Sequence, residues 1–202
     1  MKGIDGAILL LDSEAMILRT LTYPPAHREL YLKGILYRRW KRKYGRTRIF
    51  LELQEVEATT KQIPVKSPPL KSQTYGFGEL FAGIHYLDLG YEVIRDHWGK
   101  RWNCPGYMKA VEILGQQVAD FICREHPQPP DLFVFDRKGR FFFVEVKLPT
   151  DRLNENQLKF FRNIETYLNK YISQNRRAPG LPKGHWVELL RLAPDSGAAP
   201  IS

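Results

Sequence analysis

Asp131, Glu145 and Lys147 place one acid, and then an acid and a lysine two residues apart, within the stretch PDLFVFDRKGRFFFVEVKLPTDRLNENQ at residues 130–157. Two carboxylates held close together repel each other unless a proton or a cation intervenes, and a neighbouring ammonium can orient or stabilise an anionic oxygen. Two acids able to share a divalent cation, with a lysine beside them, form the constellation of a metal-dependent hydrolase.

The elements that must position these groups follow from the same stretch. Residues 132–135 and 141–146 are apolar, β-branched or aromatic and are bounded by turn residues, which predicts two buried strands. Arg137, Lys138 and Gly139 form the loop between them, and glycine supplies the positive φ on which a three-residue hairpin loop ends. With Asp136 and Arg140 flanking the loop, counting back along both strands sets Asp131 opposite Glu145, roughly 4.5–5.5 Å apart at Cα unless a bulge shifts the register. Side chains alternate along a strand, so Glu145 and Lys147 share one face while Val144 and Val146 point into the core. An ordinary cross-strand ion pair would account for Lys147. It would not account for an acid that opens an apolar strand opposite a second acid.

Three segments, Pro130-Asp131-Leu132, Val144-Glu145-Val146-Lys147 and Pro149-Thr150-Asp151-Arg152-Leu153 followed by Gln157, resemble the PD-(D/E)XK nuclease superfamily. More narrowly they resemble its VRR-NUC branch, which includes the nuclease module of the Fanconi-associated nuclease. A bare E-x-K pair is common, but the leading acid, the spacing and the PTDRL continuation together are specific. The resemblance covers residues 79–192. It implies an α/β, restriction-endonuclease-like core of helix, three strands, helix and strand, with a mixed sheet flanked by helices. In such relatives a glutamate on the first core helix joins the metal site and a glutamine beyond the E-x-K strand lies near it, places that Glu79 and Gln157 match. Each has a plain structural alternative. Glu79 can stabilise a helix N-terminus, Gln157 has capping-box spacing from Asn154, and Asp151 can form a turn.

Charge is concentrated rather than spread. The formal net charge is +9, and residues 26–48 hold nine Lys or Arg against the single acid Glu29, leaving the remainder near neutral. Arg38, Arg39, Lys41, Arg42, Lys43, Arg46 and Arg48, interleaved with Tyr31, Tyr37, Trp40 and Tyr44, have the make-up of a phosphate-backbone contact, to which Lys138 and Arg152 can add. A solvated surface helix is the bland alternative. With 43% hydrophobic residues and no apolar run of membrane-spanning length, the chain reads as globular and intracellular, with no membrane partner. Cys104 and Cys123 have no zinc-site spacing.

Along the chain, residues 7–11 and 15–23 predict a hairpin, 26–43 a helix closed by Gly45, and 48–59 a strand, together a small basic N-terminal α+β extension over residues 1–59. Residues 60–75 read as a linker. A nuclease domain over 76–193 follows, with helix 77–89, strand 91–95, loop 97–106, helix 107–124, the central hairpin, a helix from Asn154 to about residue 172, and strand 185–192, before a tail at 194–202. The expected reaction is hydrolysis of DNA phosphodiesters, with Asp131 and Glu145 holding Mg2+ or Mn2+, Glu79 and the Val146 carbonyl as further ligands, and Lys147 orienting water or stabilising the transition state. The resemblance further implies branched or flapped DNA in repair or recombination, and a homodimer. A non-catalytic nucleic-acid-binding module on the same fold and a sequence-specific restriction-type endonuclease are the competing readings.

Overall fold

The computed structural model of the chain describes residues 6–9, 16–36, 38–39, 42–43, 76–95, 105–124, 129–175 and 185–196. The strands are β1 (Gly6–Leu9), β2 (Met16–Tyr23), β3 (Glu92–Arg95), β4 (Leu132–Phe135), β5 (Phe141–Lys147) and β6 (Val187–Pro194). The helices are α1 (Pro25–Leu32), α2 (Phe77–Asp88), α3 (Pro105–Leu114), α4 (Gln116–Arg124) and α5 (Glu155–Asn175). All six strands form one mixed sheet, ordered β1-β2-β6-β5-β4-β3. The class is therefore α/β. None of the described helices is long and apolar enough to cross a membrane.

The central hairpin has the register expected of its loop. Leu132 pairs with Val144 and Phe135 with Phe141, the Asp136 N–H donates to the Arg140 carbonyl at 2.9 Å, and Gly139 takes φ 78°. Parallel strands need a crossover connection, and α5 supplies it between β5 and β6, which pair from Phe143–Val187 to Lys147–Arg191. The two-residue alternation then divides the core. Leu132, Val134, Phe142, Val144 and Val146 face α2 in one cluster, while Phe133, Phe135, Phe141 and Phe143 face α3, α4 and α5 in the other. This is why β4 and β5 read as continuous apolar runs: both faces of the strands are covered.

Two predicted helices are each broken by a glycine. The helix expected over residues 26–43 ends as α1 at Leu32, because Gly34 takes φ 64° and its N–H turns back to the Tyr31 carbonyl at 2.8 Å; helical residues resume beyond it. The helix expected over 107–124 is two, α3 and α4, divided at Gly115 with φ 84°. Hydrophobic periodicity runs through both breaks, since a single left-handed glycine redirects the axis without altering which positions are apolar. The strand placed at 48–59, the linker at 60–75, the loop residues 97–104 and the tail beyond 196 lie outside the described residues.

The N-terminal hairpin does more than precede the core. β2 pairs in parallel with β6 from Ile17–Glu188 to Tyr23–Pro194, and the Asp195 N–H donates to the Tyr23 carbonyl at 2.8 Å. Residues expected to form an extension thus continue the same sheet. Across this junction lies a buried polar group. Glu188 is fully buried, accepts a 2.5 Å hydrogen bond from the Tyr86 hydroxyl on α2, and sits 3.4 Å from Arg19 Nε on β2. Burial pushes the Glu188 carboxyl above its ordinary range, against the opposing pull of Tyr86 and Arg19. Removing a donor from a buried acceptor leaves its desolvation uncompensated, at about 1–3 kcal/mol. Tyr86→Phe is therefore expected to lower stability by about that amount in urea unfolding, and an unchanged midpoint would contradict this assignment.

Candidate active site

Extending the β4–β5 register one residue beyond Leu132–Val144 sets Asp131 opposite Glu145, at the end of the hairpin away from its loop. Both side chains lie on the α5 face, as does Lys147. The two strands are tied across this pair: the Val146 N–H donates to Asp131 Oδ2 at 2.8 Å, and the Asp131 backbone hydrogen-bonds the Glu145 carboxylate. Lys147 Nζ is 2.7 Å from Glu145 Oε1, so lysine and acid already form a partly buried ion pair. The hairpin alone places all three groups.

A fourth group comes from α5. Asn154 caps the helix: its Oδ1 accepts the Gln157 N–H at 2.8 Å, and Gln157 Oε1 accepts the Asn154 N–H at 3.2 Å. This is a capping box. The same amide reaches the site, with Gln157 Nε2 donating to Glu145 Oε1 at 2.6 Å and Oε1 accepting from Lys147 Nζ at 3.3 Å. Capping and site contact were alternatives in the sequence, and the structure has both. Asp151 forms a turn, accepting the Leu148 N–H at 3.0 Å, and leaves the neighbouring Arg152 exposed between β5 and α5.

Glu79 approaches from the other side, in the first turn of α2. Gly78 allows this: a Cβ there would meet Val146 Cγ1 at 3.2 Å, so the glycine lets the helix lie against β5. The Glu79 charge acts on both acids of the hairpin. The Asp131 carboxyl is pushed well above its ordinary range, first by burial, then by the Glu145 charge and the Glu79 charge, against the Val146 N–H and Lys147. Glu145 is also raised by burial, with Lys147 pulling the other way. Among the described residues no three His, Cys, Asp or Glu side chains form a group that could hold a metal ion. The Glu145 carboxylate is instead turned onto Lys147 and Gln157.

The remaining cations are spread widely. Lys138 is in the hairpin loop, seven residues beyond Asp131, and the five residues of chain from Asp131 to Asp136 alone span roughly 17 Å. Arg38, Arg39, Arg42 and Lys43 are exposed beyond α1, whereas Lys41, Arg46 and Arg48 lie outside the described residues. Sequence reading passed over Glu188, although its signal, a lone acid inside the apolar run WVELLRLA, is the one that singles out Glu145. It also passed over Glu165, whose Oε1 accepts the Trp186 and Val187 N–H groups at 2.8 Å each and so fixes the start of β6 on α5.

Residues 93–169 match the VRR-NUC domain. The match is to that domain family and not to the Fanconi-associated nuclease in particular. It takes in Asp131, Glu145, Lys147 and Gln157, and leaves Glu79, β2 and β6 outside it. No curated protein and no solved structure matches the chain.

A raised carboxyl makes a thermodynamic statement. The unfolded chain ionises Asp131 near pH 4, but the folded chain holds its proton to higher pH. Below the unfolded value both states are protonated and nothing is lost. As pH rises from there towards the folded value, the unfolded state releases its proton first and stability falls. Asp131→Asn keeps an acceptor for the Val146 N–H and removes the charge. In EDTA its melting temperature is expected to exceed that of the wild type by a margin that widens as pH rises above about 4. Glu145→Gln, which strips Lys147 of its partner, is expected to gain less. Equal melting of Asp131→Asn and wild type at all pH values would remove the repulsion argument.

Proposed function

We propose that the chain is a divalent-cation-dependent nuclease that hydrolyses DNA phosphodiester bonds, on a restriction-endonuclease-like core. The observation that carries this reading is the close set of Asp131, Glu145, Lys147 and Gln157 on β4, β5 and α5, inside the segment that matches the VRR-NUC domain. The element order α2, β3, β4, β5, α5, β6, with α3 and α4 inserted before β4, agrees with such a core. A surface ion pair has no need of a second buried acid held against the first.

The donor set suits a hard divalent cation. Two carboxylates raised by burial, with the Glu145 charge adding to Asp131 and the Glu79 charge adding to both, are groups whose crowding such an ion relieves. Asp131 and Glu145 would hold it with the Val146 carbonyl, and Glu79, which does not group with the two acids in this structure, would have to turn towards them to become a further donor. Bound there, Mg2+ or Mn2+ would supply charge neutralisation at a phosphate and would lower the pKa of a bound water. Lys147 presents its ammonium to a phosphate oxygen or to the water, and Gln157 fixes the direction in which that ammonium points. Glu145 orients both. Arg152, exposed at the rim, is placed to bind a flanking phosphate.

Branched or flapped DNA as substrate, a homodimeric state and a role in repair or recombination belong to the same reading and rest on the family likeness. Labelled duplex, flap and four-way-junction DNA, incubated with Mg2+, Mn2+ or EDTA, separate the alternatives. Cleavage is expected with either metal, to vanish in EDTA, and to fall by at least a hundredfold in Glu145→Ala, as loss of a group that acts in the transition state does. Mg2+ or Mn2+ is also expected to raise the melting temperature of the wild type, and not that of Asp131→Asn. Salt-sensitive DNA binding without cleavage, and without any metal effect on melting, would instead identify a binding module.

A further inference from the structure

The basic residues after β2 are not a tether beside the nuclease site, because the segment carrying them is packed along the outside of α2. The Tyr31 ring lies 5.5 Å from Phe77 and the His27 ring 5.9 Å from Phe81, Leu36 is 3% exposed within the same apolar cluster, and Lys43 Nζ meets Asp88 Oδ1 at 2.8 Å. The segment is thus attached from the first turn of α2 to its last residue. Arg28, Arg38, Arg39 and Arg42 remain exposed on its outer side.

The direction of this surface follows from the helix itself. Phe77 and Phe81, four residues apart, form the stripe on which Tyr31 and His27 pack. Glu79 lies two residues on, roughly 200° round the helix from Phe77, and acts on Asp131 and Glu145. The basic layer and the acidic site therefore occupy different sides of α2. Cations so placed are not part of the acidic cluster. Tyr31, the described aromatic within the basic run, packs against Phe77.

We propose that this outer layer is a second DNA contact, a sequence-independent phosphate-binding surface that holds a duplex arm other than the one at the acidic site. The proposal rests on the nuclease reading above and adds to it that two arms of one substrate are engaged on two sides of α2. Exposed arginines on a packed segment suit the phosphate backbone of a duplex arm.

The test reads binding apart from cutting. In a Glu145→Ala background with EDTA, affinity for a long duplex and for a four-way junction is measured as salt is varied. This is done for the parent, for Arg39→Gln/Arg42→Gln, and for the charge-matched Lys109→Gln/Lys170→Gln on the opposite face of the sheet. Two lost phosphate contacts are expected to reduce the slope of log affinity against log salt by about 1.8 in the arginine variant, with no such change in the lysine variant. In the active background, the arginine variant is expected to raise KM for the junction while kcat stays within twofold. Equal slopes in all three proteins, or equal losses in both variants, would overturn the second contact. Absence of cutting by the wild type, with the slope difference intact, would overturn only the nuclease reading.

Discussion

The repulsion between Asp131 and Glu145 is the constraint on which the rest of the site depends. Two acids opposite each other on neighbouring strands, both largely buried, destabilise the fold unless their surroundings compensate. Compensation is partial and specific. The Val146 N–H serves Asp131, while Lys147 and the Gln157 amide serve Glu145, and the Glu79 charge works against both. A structure selected for stability alone would place a leucine or a threonine at one of these positions. Keeping both acids is the kind of local conflict with foldability that marks a functional site.

The surrounding frame explains how the conflict is sustained. β5 lies inside the sheet, paired with β4 on one side and β6 on the other, and β6 is in turn covered by β2, so neither acid can relax by displacement of an edge strand. The Tyr86–Glu188 hydrogen bond fixes α2 to β6 near one end of the helix, and Gly78 lets it touch Val146 at the other. The position of Glu79 is thus set by contacts that make no use of its charge. The segment that matches the VRR-NUC domain does not contain these supports, since β2, α2 and β6 all lie outside it.

How much of this could be read from the sequence varied with the range of the interaction. The central hairpin was legible because its strand period, its loop and its glycine are all local, and its register follows by counting. The cap of α5 was legible for the same reason. Helix breaks at Gly34 and Gly115 were not, because apolar spacing resumes in phase after each. The parallel pairing of β2 with β6 joins residues at opposite ends of the chain, and nothing in either strand's pattern names its partner. Glu188 was visible as an anomaly, but only the fold reveals that its partners are Tyr86 and Arg19.

Gln157 shows why the site residues cannot be separated from the structural ones. As the third residue of its helix, glutamate would serve the capping box as well as glutamine and would also gain from the helix dipole. At this position it would set another carboxylate within hydrogen-bond distance of Glu145, beside a pair already raised by burial and by the Glu79 charge. Glutamine retains the acceptor that the Asn154 N–H and Lys147 both use, and replaces the second oxygen with a donor that Glu145 needs. The amide is the one side chain of that length that can accept from the helix start and the lysine while donating to the acid. Its choice over glutamate, which the helix alone would favour, follows from the charge of the hairpin it faces.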